Sequence, residues 1–313
     1  MGKAPFAALR PRLPMAPDLA VVIVTHNSAH VLADLLGSLP AALGEFTADV
    51  IVVDNASTDG TADLAEELGG CRVVRSANVG YSGGINRGVR EAMAAEAILV
   101  LNPDVILHEK SVPPLLTALQ EPNVGIVVPQ LRSPRGKLDL SLRREPNLPR
   151  ALGLASTRLA IFSECVTKWS EYGRPHAVDW ATGAVLAMSA KCYKALGGWD
   201  ETFFLYSEET DLSLRARDAG WLTWYEPQSV AVHIGGGSGR TAVTHTMQIV
   251  NRVRLYRRRH RSLAAWFYFW LAVASELSRA TCGSARSRYA VAALLRPSRR
   301  PPALGCCTRL MPM

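Results

Sequence analysis

Short, continuous apolar runs alternate with helical patterns through the first 130 residues. Leu19-Ala-Val-Val-Ile-Val-Thr25 reads as a buried strand, and the periodicity after Ser28, a candidate cap, predicts a helix over His30–Leu39. Val50–Val53 predicts a second strand, ended by Asp54-Asn55 and followed by Ser57, Thr58 and Asp59 as caps for the next helix. Arg72–Arg75 gives a third strand, a glycine-rich turn leads to a helix over Asn86–Ala95, and Ile98–Leu101 and Gly125–Pro129 complete five strands. Strands apolar on both faces and separated by helices imply an α/β fold with a mostly parallel sheet flanked by helices. Ligands of such sheets gather beyond the carboxyl ends of the strands. Those ends carry Thr25-His26-Asn27, Asp54-Asn55 and Asn102-Pro103-Asp104.

Residues 131–175 show no clear period. Beyond them the pattern predicts strand over Trp180–Met188, helices over Ala190–Leu196 and Glu208–Ala219 (with Ser207 as cap), and a strand reaching His233. Gly235–Gly239 follows, too flexible for the interior of an element.

Charge separates the ends of the chain. Of the formal +8, residues 251–313 hold thirteen arginines against one acid, Glu276, a net of +12 that leaves −4 for residues 1–250. A basic segment of that kind is drawn to anionic surfaces. It contains Leu263–Ala274, twelve apolar residues, short of the roughly 20 that cross a bilayer. With Trp266, Tyr268 and Trp270 and its arginine flanks, this helix either lies among lipid headgroups or packs into the domain or an oligomer interface. The six cysteines show no C-x-x-C spacing and suit a reducing compartment. Residues 1–18, broken by Pro5, Pro11, Pro14 and Pro17, lack the apolar stretch of a secretory signal and read as a loose leader on a cytoplasmic protein. The expected organisation is leader 1–18, catalytic domain 19–245 and basic helical tail 246–313.

Several strand ends carry candidate chemistry. Asp54 can accept from the imide N–H of a uracil or thymine ring or cap the following helix. The glycines of Asn78-Val-Gly-Tyr-Ser-Gly-Gly-Ile-Asn86 let backbone amides approach a diphosphate or sugar. Asp104 supplies a carboxylate for a hard cation, Mg²⁺ or Mn²⁺, which substrate phosphates would help to hold, and His233 is a second candidate ligand. Glu208, Glu209 and Asp211 crowd one helix start, where the dipole favours acids. Asp211 can pair with Arg215, and a carboxylate facing the sheet edge can act as a general base.

In order, the segments Val22–Asn27, Val52–Thr61, Asn78–Asn86, Leu101–Val105, Asp179–Ala184, Gly197–Phe204, the acidic helix and Val232-His233 resemble inverting glycosyltransferase family 2. The likeness spans about residues 19–240. It implies a GT-A fold with a Rossmann-like nucleotide-binding half. The finer likeness, in the Asn-Pro-Asp, Trp-x-x-Gly-Ala and Phe-Phe-x-Tyr segments, is to bacterial rhamnosyltransferases acting on lipid-diphosphate-linked N-acetylglucosamine. The resemblance implies that Thr25, Asn27 and Asp54 hold the nucleoside and that Asn78, Gly84 and Asn86 line the donor pocket. Asn102 and Asp104 correspond to the family's Asp-x-Asp, and His233 completes the metal site. Trp180, Gly183, Trp199 and Asp200 face the acceptor, and Glu209 stands where the family has an aspartate base. The implied partners are dTDP-rhamnose, a lipid-linked saccharide and the inner face of the cell membrane, with a homo-oligomer open and no nucleic acid. The rival reading is an impaired member, marked by Glu209, that binds nucleotide or partner as a scaffold. A dehydrogenase or methyltransferase is disfavoured because Thr-His-Asn stands where a glycine fingerprint belongs.

Overall fold

The structure, a computed structural model, describes residues 16–157, 159–235, 241–304 and 310. Most of the glycine stretch after Gly235, most of the leader, and Cys306 and Cys307 lie outside them. In chain order the elements begin β1 (Leu19–Thr25), α1 (Ala29–Leu43), β2 (Ala48–Asn55), α2 (Thr61–Leu68), β3 (Arg72–Ser76), α3 (Gly80–Glu91) and β4 (Ala97–Leu101). They continue with β5 (Val105–Leu107), α4 (Val112–Ala118), β6 (Val124–Arg132), β7 (Leu142–Arg143), α5 (Leu148–Ala151), β8 (His176–Val178), β9 (Trp180–Ala181) and β10 (Val185–Ser189). The last are α6 (Ala190–Leu196), α7 (Glu208–Asp218), β11 (Leu222–His233), α8 (Ala242–Arg259), α9 (Ser262–Thr281) and α10 (Ala285–Leu295).

The main sheet runs β3-β2-β1-β4-β10-β6-β11-β5, with β8 added on β11. Its first four strands are parallel, and β10 enters antiparallel to both β4 and β6. All seven residues of β1 are buried, as a strand covered on both faces requires. Two apolar layers result, one under α1 and α4 and one under α3, α6 and α7.

Helix α3 begins six residues earlier than the hydrophobic pattern suggests, because the expected glycine turn is itself helical. Its glycines serve contact with the sheet. A Cβ on Gly84 would stand 2.7 Å from a Val24 methyl, and one on Gly88 2.4 Å from a Val22 methyl. Gly88→Ala is therefore expected to cost about 1–3 kcal/mol through overpacking, which outweighs the roughly 1 kcal/mol gained in helix propensity. Thermal unfolding should show a melting temperature lower by a few degrees; an unchanged one would mean that α3 has room to move off β1.

Helices α8, α9 and α10 form a cluster packed on the preceding part of the chain. Phe204, Leu205 and Tyr206 join its apolar core. Asn251, fully buried on α8, donates to the carbonyls of Leu205 and Tyr206 at 2.9 and 3.2 Å. The arginine-rich helix turns most of its charge inward. Arg252 pairs with Glu164, Arg258 with Asp200 and Arg259 with Asp218, while buried Arg254 donates to the Thr202 carbonyl. On α9, Tyr268 is buried, and the outward stripe is Leu263, Trp266, Phe267, Trp270 and Leu277. Among the described residues no helix is long and apolar enough to cross a membrane.

Candidate active site

The carboxyl ends of β1 and β4 open into a hollow of about 420 Å³. It gathers Thr25, Asn27, Asn78, Asn102, Asp104, Gly183, Glu209 and His233 from six separate places in the sequence. A larger groove, about 1250 Å³ between α1, α4 and β11, shares none of these residues.

Parallel strand ends set the floor. Thr25 donates its hydroxyl to Asp54 at 3.0 Å, and Asp54 also accepts from the amide and hydroxyl of Ser57. Asp54 thus stands behind the hollow's wall, holding Thr25 and the Ser57 turn in place. Asn27, at φ +54°, accepts the Thr58 amide at 2.8 Å and closes the same turn. Asp59 accepts the Thr61 amide just ahead of α2, whose N-cap position is Gly60 with no side-chain cap, and Ser28 makes no side-chain cap on α1.

Asp104 and His233 meet where β5 pairs with the end of β11, with Val105 opposite His233. Their Oδ2 and Nε2 atoms stand 3.5 Å apart, and the other ring nitrogen faces Asp139 at 3.9 Å. Two ligands of one Mg²⁺ at about 2.1 Å and a right angle stand about 3 Å apart, so the pair fits a divalent ion with its other positions turned to the hollow. No cluster of three or more such ligands occurs among the described residues. Burial alone would lower the His233 imidazole; hydrogen bonds to Asp104 and Asp139 outweigh it and hold it up at about 9.

Across the hollow, α7 presents two carboxylates. Glu208 Oε2 and Glu209 Oε2 are both buried without a hydrogen-bond partner. Burial raises both carboxyls: Glu208 well above its ordinary value, with the Glu209 charge adding to it, and Glu209 against the opposing charge of Arg143. The third acid of this turn, Asp211, pairs with Arg215 at 2.6 Å as the four-residue spacing predicts. Ser207 is no side-chain cap. It and Tyr206 are both left-handed, at φ +72° and +68°, conformations that cost non-glycine residues of order 1 kcal/mol or more each. The Asn251 amide on α8 grips the carbonyls on either side of Tyr206, so the tail helices hold the approach to α7.

Six residues assigned by the resemblance do not line the hollow. Gly84 packs on Val24 and Asp54 lies one layer behind. Asn86 is spent within the protein: its amide donates to the Trp199 carbonyl and to Glu201, and its carbonyl accepts from Trp199 and Tyr193. Trp199 is buried edge-on against Tyr81, and Asp200 is tied to Arg258. Trp180 donates to the Arg144 carbonyl and borders a smaller hollow that it shares with Glu209. Conversely, sequence reasoning missed Tyr81, whose hydroxyl donates to Asn102 at 2.6 Å, along with Asp139 and Arg143. Tyr81 sat inside a segment read only for its glycines; the other two lie where no periodicity guides the eye.

The sheet, parallel in its first half and with a hollow at the carboxyl edge of that half, has the GT-A fold. Solved structures agree on the fold. A mannosyltransferase from Pyrobaculum calidifontis in complex with GDP-Man and Mn²⁺ superposes with a TM-score of 0.54 at 16% identity, covering 95% of this chain and 85% of that one. GalNAc-T7 with UDP, GalNAc and Mn²⁺ gives 0.60 at 16% identity over 77% of this chain and 48% of that one. Residues 20–170 match the model of the family described as glycosyl transferase family 2. The N-acetylglucosaminyl-diphospho-decaprenol L-rhamnosyltransferase of Mycobacterium tuberculosis is 31% identical over 252 residues, covering 74% of this chain and 81% of the relative. The chain belongs to glycosyltransferase family 2, and it is a glycosyltransferase.

Proposed function

We propose that this enzyme transfers L-rhamnose from dTDP-rhamnose to a hydroxyl of a lipid-diphosphate-linked saccharide, with inversion. The observation that carries the reading is that Glu209 and the Asp104–His233 pair line one hollow. The rhamnose and the lipid-diphosphate acceptor follow the name of the mycobacterial relative, and the dTDP carrier follows the family resemblance alone.

Glu209 takes the proton of the acceptor hydroxyl. The acceptor oxygen forms its bond to the anomeric carbon while the bond to the diphosphate oxygen breaks, and the electron pair leaves with the nucleoside diphosphate. A divalent cation, Mg²⁺ or Mn²⁺, held by Asp104 and His233 would supply charge compensation to that leaving group. Thr25 and Asn27, braced by Asp54 and the Ser57–Thr58 turn, hold the nucleoside end, and Asn78 and Asn102 the sugar-diphosphate. Gly183 keeps the acceptor side open, since a Cβ there would stand 3.3 Å from the Glu209 side chain. The test is a panel of nucleotide sugars scored for nucleoside diphosphate release with a prenyl-diphosphate N-acetylglucosamine. dTDP-rhamnose should turn over fastest; a faster donor would replace it in this reading.

The proposed location is peripheral, on the cytoplasmic face of the cell membrane, with the outer stripe of α9 as the contact. Trp266, Phe267 and Trp270 are each more than a third exposed, and Arg261 stands at the head of the helix. The one acid of the last sixty-three residues, Glu276, is buried. Aromatic rings with basic neighbours suit an anionic headgroup region. Replacing the three rings by serine should weaken sedimentation with phosphatidylglycerol vesicles about tenfold or more. Undiminished binding would remove this face from the reading.

A further inference from the structure

Two smaller hollows adjoin the main one. Tyr206 and Glu209 line both the main hollow and a throat of about 40 Å³ bordered by Trp180. Glu164 and Arg252 line both that throat and a third hollow of about 250 Å³, between the 143–165 segment and helices α8 and α9. The three hollows are therefore neighbours with shared walls, Glu209 standing between the first two and the Glu164–Arg252 pair between the last two.

That hollow is cationic. Four guanidinium groups line it, Arg143, Arg150, Arg252 and Arg279, against the carboxylates of Glu164 and Glu276. Both acids are already engaged: Glu164 with Arg252 at 3.2 Å, and Glu276 with Arg279 and, at 2.8 Å, with His245. Two donors remain. The Nε of Arg150 is buried with no hydrogen-bond partner, although its Nη1 donates to the Glu145 carbonyl. The hydroxyl of Tyr268, a residue only 1% exposed, also has none. Buried polar groups are ordinarily paired, and a phenol and a guanidinium left as bare donors call for an acceptor with negative charge. The adjoining sequence is apolar on the outside: Leu154 and Ile161, next to the lining residues Ala155 and Phe162, are exposed.

We propose that this arginine-lined hollow binds the diphosphate of the acceptor, placing the saccharide at Glu209 and the lipid chain along Leu154 and Ile161. The assignment rests on the reading of the acceptor as a lipid-diphosphate saccharide. The chemistry of the site itself requires only a diphosphate, so free pyrophosphate and the lipid-linked form are tested separately.

Calorimetric titration of the full chain with inorganic pyrophosphate, in chelator without divalent ion, reads the site directly. Tyr268→Phe deletes an oxygen that has no protein partner, so its melting temperature should match the parent's or exceed it. Its dissociation constant for pyrophosphate should rise about fivefold, and that of Arg150→Gln about tenfold or more. With a short-chain prenyl-diphosphate N-acetylglucosamine, the acceptor KM should rise in both variants by similar factors, while nucleotide affinity, set in the main hollow, stays put. Unchanged pyrophosphate affinity in both variants overturns the site. So does efficient transfer to the prenyl-diphosphate acceptor with a KM that neither variant moves, a result that leaves the proposed function standing. If the two variants lose pyrophosphate but the parent chain does not glycosylate that acceptor, the anion site stands and the acceptor reading falls.

Discussion

Glu209→Gln is expected to lower turnover by about 10²–10⁴ while nucleotide-sugar affinity changes by less than about threefold. Two carboxylates stand side by side at the start of α7, each with an unpartnered buried oxygen, and only an ionised one can take a proton. Burial pushes both carboxyls up, and Glu208 further because the Glu209 charge acts on it. At Glu209 the Arg143 charge pulls the other way and favours the carboxylate. Glu209 is therefore the more readily ionised of the two and the one placed to take a proton. Glutamine keeps the shape and removes the basic oxygen. The sign of the pH effect follows. A raised carboxyl stays protonated above the usual range, so transfer is present at higher pH and is lost as pH falls through the raised value. The acid limb of kcat/KM should lie above 4.5, and Glu209→Gln should remove it from the residual rate. Glu208→Gln should cost much less; a larger loss there would give the base role to Glu208.

The legibility of this site in the sequence was uneven for physical reasons. Strands β1, β2 and β4 are apolar on both faces and end in polar triplets, so both the parallel sheet and the position of its ligand edge could be read from pattern alone. Asp104 and His233 share that edge because β5 pairs with β11 across a long stretch of chain, and the family likeness, not spacing, supplied the partnership. Of the glycine segment, Asn78 and Gly80 line the hollow while Gly84 packs on β1, because a helix packed tightly on a sheet and a backbone approaching a phosphate make the same demand, the absence of a Cβ. Asn86 and Trp199 were misplaced for a related reason: polar groups that clamp two segments leave the same trace as groups that face a substrate. The arginines of α8 looked free for lipid, since no local pattern reveals that Glu164, Asp200 and Asp218 fold back to meet them. The two left-handed residues before α7 carry no glycine or asparagine to announce them.

Asp104→Asn is expected to abolish the part of nucleotide-sugar affinity that depends on Mn²⁺, about 10²-fold or more, since even groups that merely orient a metal ligand are worth about 10–100-fold. The substitution leaves an oxygen in place and removes the charge, so the buried corner keeps its shape. Two protein ligands cannot hold a hard cation firmly by themselves; the donor's diphosphate completes the set, and ion and donor therefore bind as one unit. That coupling is what the titration reads. In the parent chain, donor affinity measured with Mn²⁺ should far exceed that measured in chelator, whereas in Asp104→Asn the two values should coincide near the lower one. His233→Ala should follow the same pattern, because without the ion its imidazolium is held between Asp104 and Asp139, and removing it takes away the second ligand. Asp139→Asn touches only the far ring nitrogen and should lose less than either. Equal donor affinity with and without Mn²⁺ in the parent chain would detach the Asp104–His233 pair from any metal and leave the imidazolium itself as the positive charge beside the leaving diphosphate.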